Sequence, residues 1–256
     1  MRRDPLTVVM TACIDPSAGS IQVSRSDPRQ RLEDYRKALE FWLSLRDSRI
    51  NQIIFIDNSG HPLDSLETTV RTQNIHSKHV TLISTLANSY PPGTHYGYAE
   101  LGMIDHVVSG SSNLILNSAF IKATGRLGFP GVCRLLNRLP EHFAFAVDAR
   151  RNKLFVQSPQ LFVTTQLMIF SADFYRQELF GVRREMPVTA HGIEELFFKK
   201  LIPFQGQPGC FLRWPVSVGM TGVPAHWAGK RYNSKRQQLA NLGRDFCRVV
   251  APQWWA

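Results

Sequence analysis

Four short apolar runs, each closed by a polar or glycine-containing turn, constrain this chain most. Leu6 to Ile14 is almost continuously apolar, as in a strand covered on both faces, and Asp15-Pro16 stops it. Ile53 to Ile56 is a second run, ending in Asp57-Asn58-Ser59-Gly60; Val80 to Leu86 is a third. Ala119 to Thr124 is the fourth, broken by Gly125-Arg126. Helical patterns separate them. Asp27-Pro28 supplies an N-cap with proline in the first helical position, Gln30 completes a capping box, and Leu32, Tyr35, Leu39, Trp42 and Leu43 follow at helical spacing. Leu101, Ile104 and Val108 share one side of a helix from Tyr98 to Val108, and Pro130 opens another that aligns Val132, Leu135, Leu136 and Leu139. Strand, helix, strand, strand, helix, strand is the alternation of an α/β chain with a mainly parallel sheet. Ligands of such sheets sit at the carboxyl edge, which directs attention to Ala119–Leu139.

Beyond Pro140 the pattern changes. Phe143 to Val147, Leu154 to Val156 and Phe162 to Phe170 read as strands with short polar links, of antiparallel type. Ser171 caps a short helix to Phe180, another helix runs from Gly192 to Ile202, and a last one spans about Asn233 to Val250. No repeat or low-complexity tract interrupts the chain. The soft boundary near 140–150 divides two halves of one domain, residues 1–140 and 141–205, followed by a C-terminal extension, 206–256.

Charge narrows the class of partner. The chain of 256 residues carries a formal charge of +10, so an anionic partner is expected: nucleic acid, an acidic membrane surface or a phosphate-bearing metabolite. From Phe211 to Ala256 there are seven Lys/Arg against one acid, Asp245, and four of the five tryptophans: Trp214, Trp227, Trp254 and Trp255. A basic, tryptophan-rich end suits an anionic membrane surface, and equally suits a packed helix with a solvated basic side. Cys13, Cys133, Cys210 and Cys247 lack C-x-x-C spacing and read as small buried thiols in a reducing compartment. Met-Arg-Arg-Asp-Pro is not followed by the apolar core of a signal peptide, and no apolar run reaches membrane-spanning length. The expected location is cytoplasmic, peripheral at the inner face of the plasma membrane if the tail docks there.

Five segments then appear in a fixed order: Arg31-Leu-Glu-Asp-Tyr35, Phe55-Ile-Asp-Asn-Ser-Gly60, Gly97-Tyr-Ala-Glu100 with Ile104-Asp105, Phe120-Ile-Lys-Ala-Thr-Gly-Arg126 and Gly192-Ile-Glu-Glu195. Together they resemble short bacterial glycosyltransferases that build capsule or lipopolysaccharide, over about residues 6–202, with Lys-x-Thr-Gly-Arg the most distinctive. The resemblance implies a GT-A-like, Rossmann-type fold, a nucleotide-sugar donor and a carbohydrate acceptor, lipid-linked where the membrane reading holds. It places Thr11 and Asp57-Asn58-Ser59 where such folds hold the nucleoside. Asp57–Gly60 is also simply a good turn.

Enzymes of this kind usually carry Asp-x-Asp after the strand that Ala119–Thr124 resembles, there to hold a divalent cation on the diphosphate. Here Thr124-Gly125-Arg126 stands instead, and the chain has no Asp-x-Asp. Arg126, helped by Lys122, is expected to take part of the cation's role, because a guanidinium bonds phosphate bidentately. No cofactor is then required, and dependence on a divalent cation is left open. Asp148-Ala149-Arg150 is a poor cation motif and reads as a surface turn. Gly97 to Glu100 opens a helix, where Glu100 either bonds donor hydroxyls or complements the dipole. Arg31 and Tyr35 share a helix face from which Arg31 reaches toward the nucleotide and Tyr35 toward the core. On the helix from Gly192, Ile193, Leu196, Phe197 and Leu201 make the apolar face, Glu195 points to water, and Glu194 lies at the border. Partial burial raises a carboxyl's pKa toward that of a useful base, so Glu194 is the candidate for the acceptor's proton, with His191 as competitor. The rival class is a non-catalytic basic α/β module for nucleic acid or a phosphorylated ligand. Against it, the charge gathers in the tail and no nucleic-acid motif is present.

Overall fold

A computed structural model describes residues 4–18, 24–110, 116–151, 160–186, 192–223, 232 and 235–250. The first apolar run becomes β1 (Leu6–Ala12), buried at every position, and it lies inside a seven-stranded sheet. β2 (Ile50–Asp57) and β4 (Ala119–Thr124) flank β1 in parallel, and β3 (His79–Ser84) adds outside β2, also parallel. β8 (Leu167–Ser171) runs antiparallel to β4, β5 (Phe145–Ala146) antiparallel to β8, and β9 (Cys210–Phe211) closes the row. The order is β3-β2-β1-β4-β8-β5-β9. β6 (Ala149–Arg151) and β7 (Leu161–Val163) form a separate antiparallel pair. The Phe162–Phe170 run is thus two strands in two sheets, parted by the link Thr164–Gln166. Leu154–Val156 lies outside the described residues.

Crossover helices account for the parallel part. α1 (Pro28–Ser44) starts as its capping residues dictate: the Asp27 carboxylate accepts from the Arg29 amide and proline follows. Its Tyr35, Leu39, Trp42 and Leu43 are buried. α2 (Asp64–Gln73) joins β2 to β3 and has no counterpart in the sequence reading. Only Leu66 and Thr69 of its ten residues are buried, so its apolar stripe is too thin to announce a helix. A parallel pair nevertheless requires a crossover. α3 (Gly97–Val108) precedes β4 and α4 (Val132–Arg138) follows it. α5 (Ala172–Phe174), capped by Ser171 as expected, continues as a π-helical turn over Tyr175–Leu179. α6 (Gly192–Leu201) buries Ile193, Leu196, Phe197 and Leu201, and α7 (Lys235–Val250) is last.

Strand alternation sorts the two faces. Val8, Met10, Ile121 and Ala123 face the core under α1 and α4. Val9, Ile54, Phe120 and Met168 face α3 and α6. Thr11 and Lys122 keep the phase of Val9 and Phe120, so they point to the α3–α6 side near the carboxyl ends of their strands. All four cysteines are free thiols, and each is partly exposed rather than buried. No helix among the described residues is long and apolar enough to cross a membrane.

Candidate active site

The carboxyl ends of β1 and β4, the first turn of α3, the first turn of α6 and the Thr164–Gln166 link converge on one buried ammonium. Lys122 is 0% exposed. Its Nζ lies 2.6 Å from Glu100 Oε1 and donates to the Thr165 carbonyl at 2.5 Å and to Thr124 Oγ1 at 3.4 Å. Thr11 Oγ1 donates to the same Glu100 oxygen at 2.8 Å. Burial alone would raise the Glu100 carboxyl; Lys122 and Thr11 outweigh it and hold the group below its ordinary value. These contacts correct the expectation that Lys122 grips a diphosphate. The strand's alternation turns it inward, where all its donors are used, and Glu100 is its partner.

Glu194 stands beside this pair. Burial, then the charge of Glu100, raises its carboxyl above the usual range. Thr165 Oγ1 donates to Oε1 at 3.4 Å, and Oε2 is buried without a hydrogen-bond partner among the described residues. α6 and α3 approach closely here: a Cβ at Gly97 would lie 2.6 Å from Ile193 Cβ. Gly97 is thus a packing contact, not an open anion site. Tyr96, just before it, is pushed up by burial and by Glu194 and Glu100, which sets its phenol among the acids. Neither Tyr96 nor Thr165 was singled out from the sequence. Tyr96 sits in a loop rich in proline and glycine, and Thr165 acts through its carbonyl as well as its hydroxyl. His191 lies outside the described residues.

Arg126 occupies the rim. Its Nε donates to the Val223 carbonyl at 3.2 Å, and among the described residues it makes no ion pair. It borders a cleft of about 540 Å³ shared with Arg25, Lys37 and Gly128. Gly125 permits the turn, since a Cβ there would meet the Thr11 carbonyl at 2.7 Å and the Tyr35 ring at 3.1 Å.

The other candidates organise this edge from within. Asp57 is fully buried and accepts from the amides of Ile14 (2.7 Å), Ser59 (2.9 Å) and His61 (3.2 Å), while Ser59 Oγ accepts from Asp15 N at 3.0 Å. Asp57 and Ser59 therefore shape the turn. Asn58 bonds Asn88 at 3.4 Å and leaves its buried Oδ1 without a partner among the described residues. Arg31 is 3% exposed, spending its donors on the carbonyls of Cys13 (2.8 Å) and Arg25 (3.1 Å) and on the Tyr35 hydroxyl (3.2 Å). Its reach toward a nucleotide is replaced by fixation of the β1 exit. Burial pushes the Cys13 thiol up to about 11, which removes a nucleophilic thiolate from this edge. Asp148, read as a surface turn, is instead 0% exposed, paired with Arg150 at 2.6 Å and Arg248 at 2.9 Å.

Comparison with known proteins meets this geometry at the level of fold. No protein-family model matches the chain, and no curated protein matches it in sequence. Among solved structures, core-mannan synthase A of Aspergillus fumigatus in its Mn/GDP form is 10% identical, with a TM-score of 0.53 over 97% of this chain and 86% of that one. A mannosyltransferase of Pyrobaculum calidifontis with GDP-Man and Mn2+ is 10% identical, TM-score 0.48, over 98% and 65%. An inositol-1-phosphate CTP transferase of T. maritima is 12% identical, TM-score 0.46, over 98% and 100%. The fold is similar to that of core-mannan synthase A, GT-A-like: a mainly parallel sheet flanked by helices, with a small antiparallel addition.

A hard divalent cation needs oxygen ligands, which the resemblance looks for at the end of β4. This chain offers Thr124 and a guanidinium there, and Glu100 is held by Lys122. Among the described residues no three His, Cys, Asp or Glu side chains converge. The donor set at this edge does not fit a cation held as an Asp-x-Asp pair holds it.

Proposed function

We propose that the chain is a nucleotide-sugar-dependent glycosyltransferase of bacterial surface polysaccharide synthesis, acting on a carbohydrate acceptor without an Asp-x-Asp cation. Residues 1–140 take the donor, 141–205 supply the acceptor side, and 206–256 form the basic extension. The observation that carries the reading is Arg126, a rim guanidinium that makes no ion pair among the described residues, borders a cleft of about 540 Å³ and lies near enough to Glu100 for its charge to help hold that carboxyl down. In this reading Arg126 bonds the donor diphosphate and stabilises the charge that grows as the bond from the anomeric carbon to the diphosphate breaks. Glu194 accepts the proton of the attacking acceptor hydroxyl, and the diphosphate departs with the bonding electrons. Lys122 acts through Glu100, holding one carboxylate ionised so that its charge keeps Glu194 basic. Thr11, Thr124 and the Asp57–Ser59 turn contribute the walls of the nucleoside site.

Arg126→Ala is expected to lower kcat about 10²–10³-fold, the usual loss when a donor to a developing anion is removed. Thermal unfolding should change little, because no ion pair is broken. Nucleotide diphosphates should raise the Tm of the parent where oligonucleotides do not. Full turnover in Arg126→Ala, or stabilisation by oligonucleotides alone, would favour the non-catalytic module.

α7 supports the membrane part of the reading. Leu239, Leu242, Phe246 and Val250 fall on one helical stripe and are 57% to 70% exposed, while Arg248 on the opposite face is buried against Asp148. The helix is inverted relative to water: its apolar side faces out. An anionic lipid surface suits an exposed apolar stripe in a segment with six net positive charges, followed in sequence by Trp254 and Trp255. Leu242→Gln with Phe246→Gln should lower flotation with anionic liposomes at least about tenfold, since each side chain contributes about 1.5–3 kcal/mol on burial. Unchanged flotation, or a dimer in lipid-free solution that the same pair of substitutions dissolves, would reassign the stripe.

A further inference from the structure

Three segments meet at the amino edge of the sheet, opposite the Lys122–Glu100 centre: the link 45–48 after α1, the start of β2, and the turn 76–78 before β3. Together they line a cavity of about 320 Å³. Small-molecule sites run to roughly 300–1,000 Å³, so this one has room for a small ligand. β2 begins at Ile50 and ends at Asp57. Seven steps of about 3.3 Å put roughly 23 Å between this cavity and the turn at the carboxyl edge.

The cavity holds a buried cation without a counter-ion. Lys78 is 6% exposed, and its Nζ donates to the Ile50 carbonyl at 2.6 Å. An ammonium carries three donors, so two are left over. Among the described residues Lys78 forms no ion pair. Asp47, the acid on this cavity, is engaged by Arg49, accepting from its amide at 3.1 Å and its Nε at 2.8 Å. Buried charges are ordinarily paired, which makes Lys78 an exception. Two further groups join it. His76 Nε2 is buried with no hydrogen-bond partner among the described residues. Arg46 is exposed, and its side chain makes no hydrogen bond or ion pair among them.

Helix ends do not account for these cations. α1 ends at Ser44 and α2 at Gln73, and each carboxyl end carries about half a negative charge. Two halves offset one of Lys78 and Arg46 and leave the other. The turn itself is held in shape. Asn74 Oδ1 accepts from the Lys78 amide at 2.9 Å, and Asn74 Nδ2 donates to the Lys78 carbonyl at 2.8 Å. Between them Ser77 adopts φ of +51°, a left-handed backbone uncommon for a residue with a Cβ. Backbone held in such conformations collects at ligand clamps.

We propose that this cavity binds the phosphate group of a small anion, at a site separate from glycosyl transfer and independent of that reading. Lys78 and the Arg46 fork bond the phosphate oxygens, and the His76 tautomer protonated at Nε2 donates a third bond. A phosphate offers three acceptor oxygens in different directions, which suits donors drawn from separate segments; a carboxylate offers two in one plane.

The test is calorimetric titration of the full chain with inorganic phosphate, in Arg126→Ala and in the same variant with Arg46→Gln or Lys78→Met added. Arg126→Ala removes the rim guanidinium at the opposite edge and should still bind phosphate. Arg46→Gln should weaken that binding at least about tenfold, as expected for a lost charge-assisted bond, and Lys78→Met at least as much. Arg46 breaks no contact of the fold, so its variant remains readable if Lys78→Met unfolds. Glycerol 3-phosphate in place of inorganic phosphate separates a monoester from the free ion; tight binding of either supports the site. Phosphate affinity unchanged by Arg46→Gln, no phosphate binding in Arg126→Ala, or acetate bound as tightly as phosphate overturns the proposal.

Discussion

Glu194→Gln is expected to lower turnover by about 10²–10⁴-fold, the usual contribution of a general base, while leaving the protein at least as stable as the parent at neutral pH. Both halves follow from one environment. The carboxyl is raised by burial and by Glu100, so the folded state holds its proton more tightly than the unfolded chain does. Stability linked to such a group is full below the ordinary carboxylate value and declines as pH climbs through the raised one. Glutamine resembles the protonated form and escapes that decline. The base, by contrast, works only when ionised, so the acid limb of the parent's rate profile should lie above the ordinary carboxylate range. Steady-state rates and urea unfolding across pH 4 to 8 measure both; a glutamine variant within about tenfold of the parent would reassign the proton transfer.

Lys122→Met should have the largest effect on stability. Methionine matches the length of the stem and removes the ammonium, stranding Glu100 with Thr11 as its remaining hydrogen-bond donor. Breaking a buried ion pair from one side costs about 3–5 kcal/mol, and denaturant unfolding at neutral pH should register a loss of that order. The gap between variant and parent should narrow in acid, because Glu100 is depressed in the parent and its contribution fades as pH falls through the folded value. Adding Glu100→Leu should recover much of the stability but not the activity, since the apolar pair no longer needs mutual neutralisation. Equal stability of the single and double variants would show that the two charges are not coupled.

Much of this architecture was legible where burial is total and the period unambiguous. β1, β2 and β4 announce themselves because a strand covered on both faces reads as a mostly apolar run with no alternation. α2 was not legible, because a crossover resting on Leu66 and Thr69 looks like a polar loop. The 162–170 run hid a change of sheet, since a three-residue link such as Thr164–Gln166 interrupts apolar character too briefly. At the site, residue types were more readable than their directions. Glu194 fell at the border of the α6 apolar face as its spacing required. Lys122 was assigned to the rim from its place near the strand's end, whereas strand alternation, taken from Val9 across the ladder, turns it toward α3. Asp148 was missed because its partner Arg248 is a hundred residues downstream, and sequence spacing carries no trace of that meeting.

The near-contact between Gly97 and Ile193 has a mechanical consequence. With only a hydrogen atom at position 97, α3 and α6 meet closely, one turn before Glu100 on the first and one residue before Glu194 on the second. Glu100 and Glu194 are therefore geared: a shift in one helix transmits to the spacing between the two charges, and that spacing sets how strongly one acid holds a proton on the other.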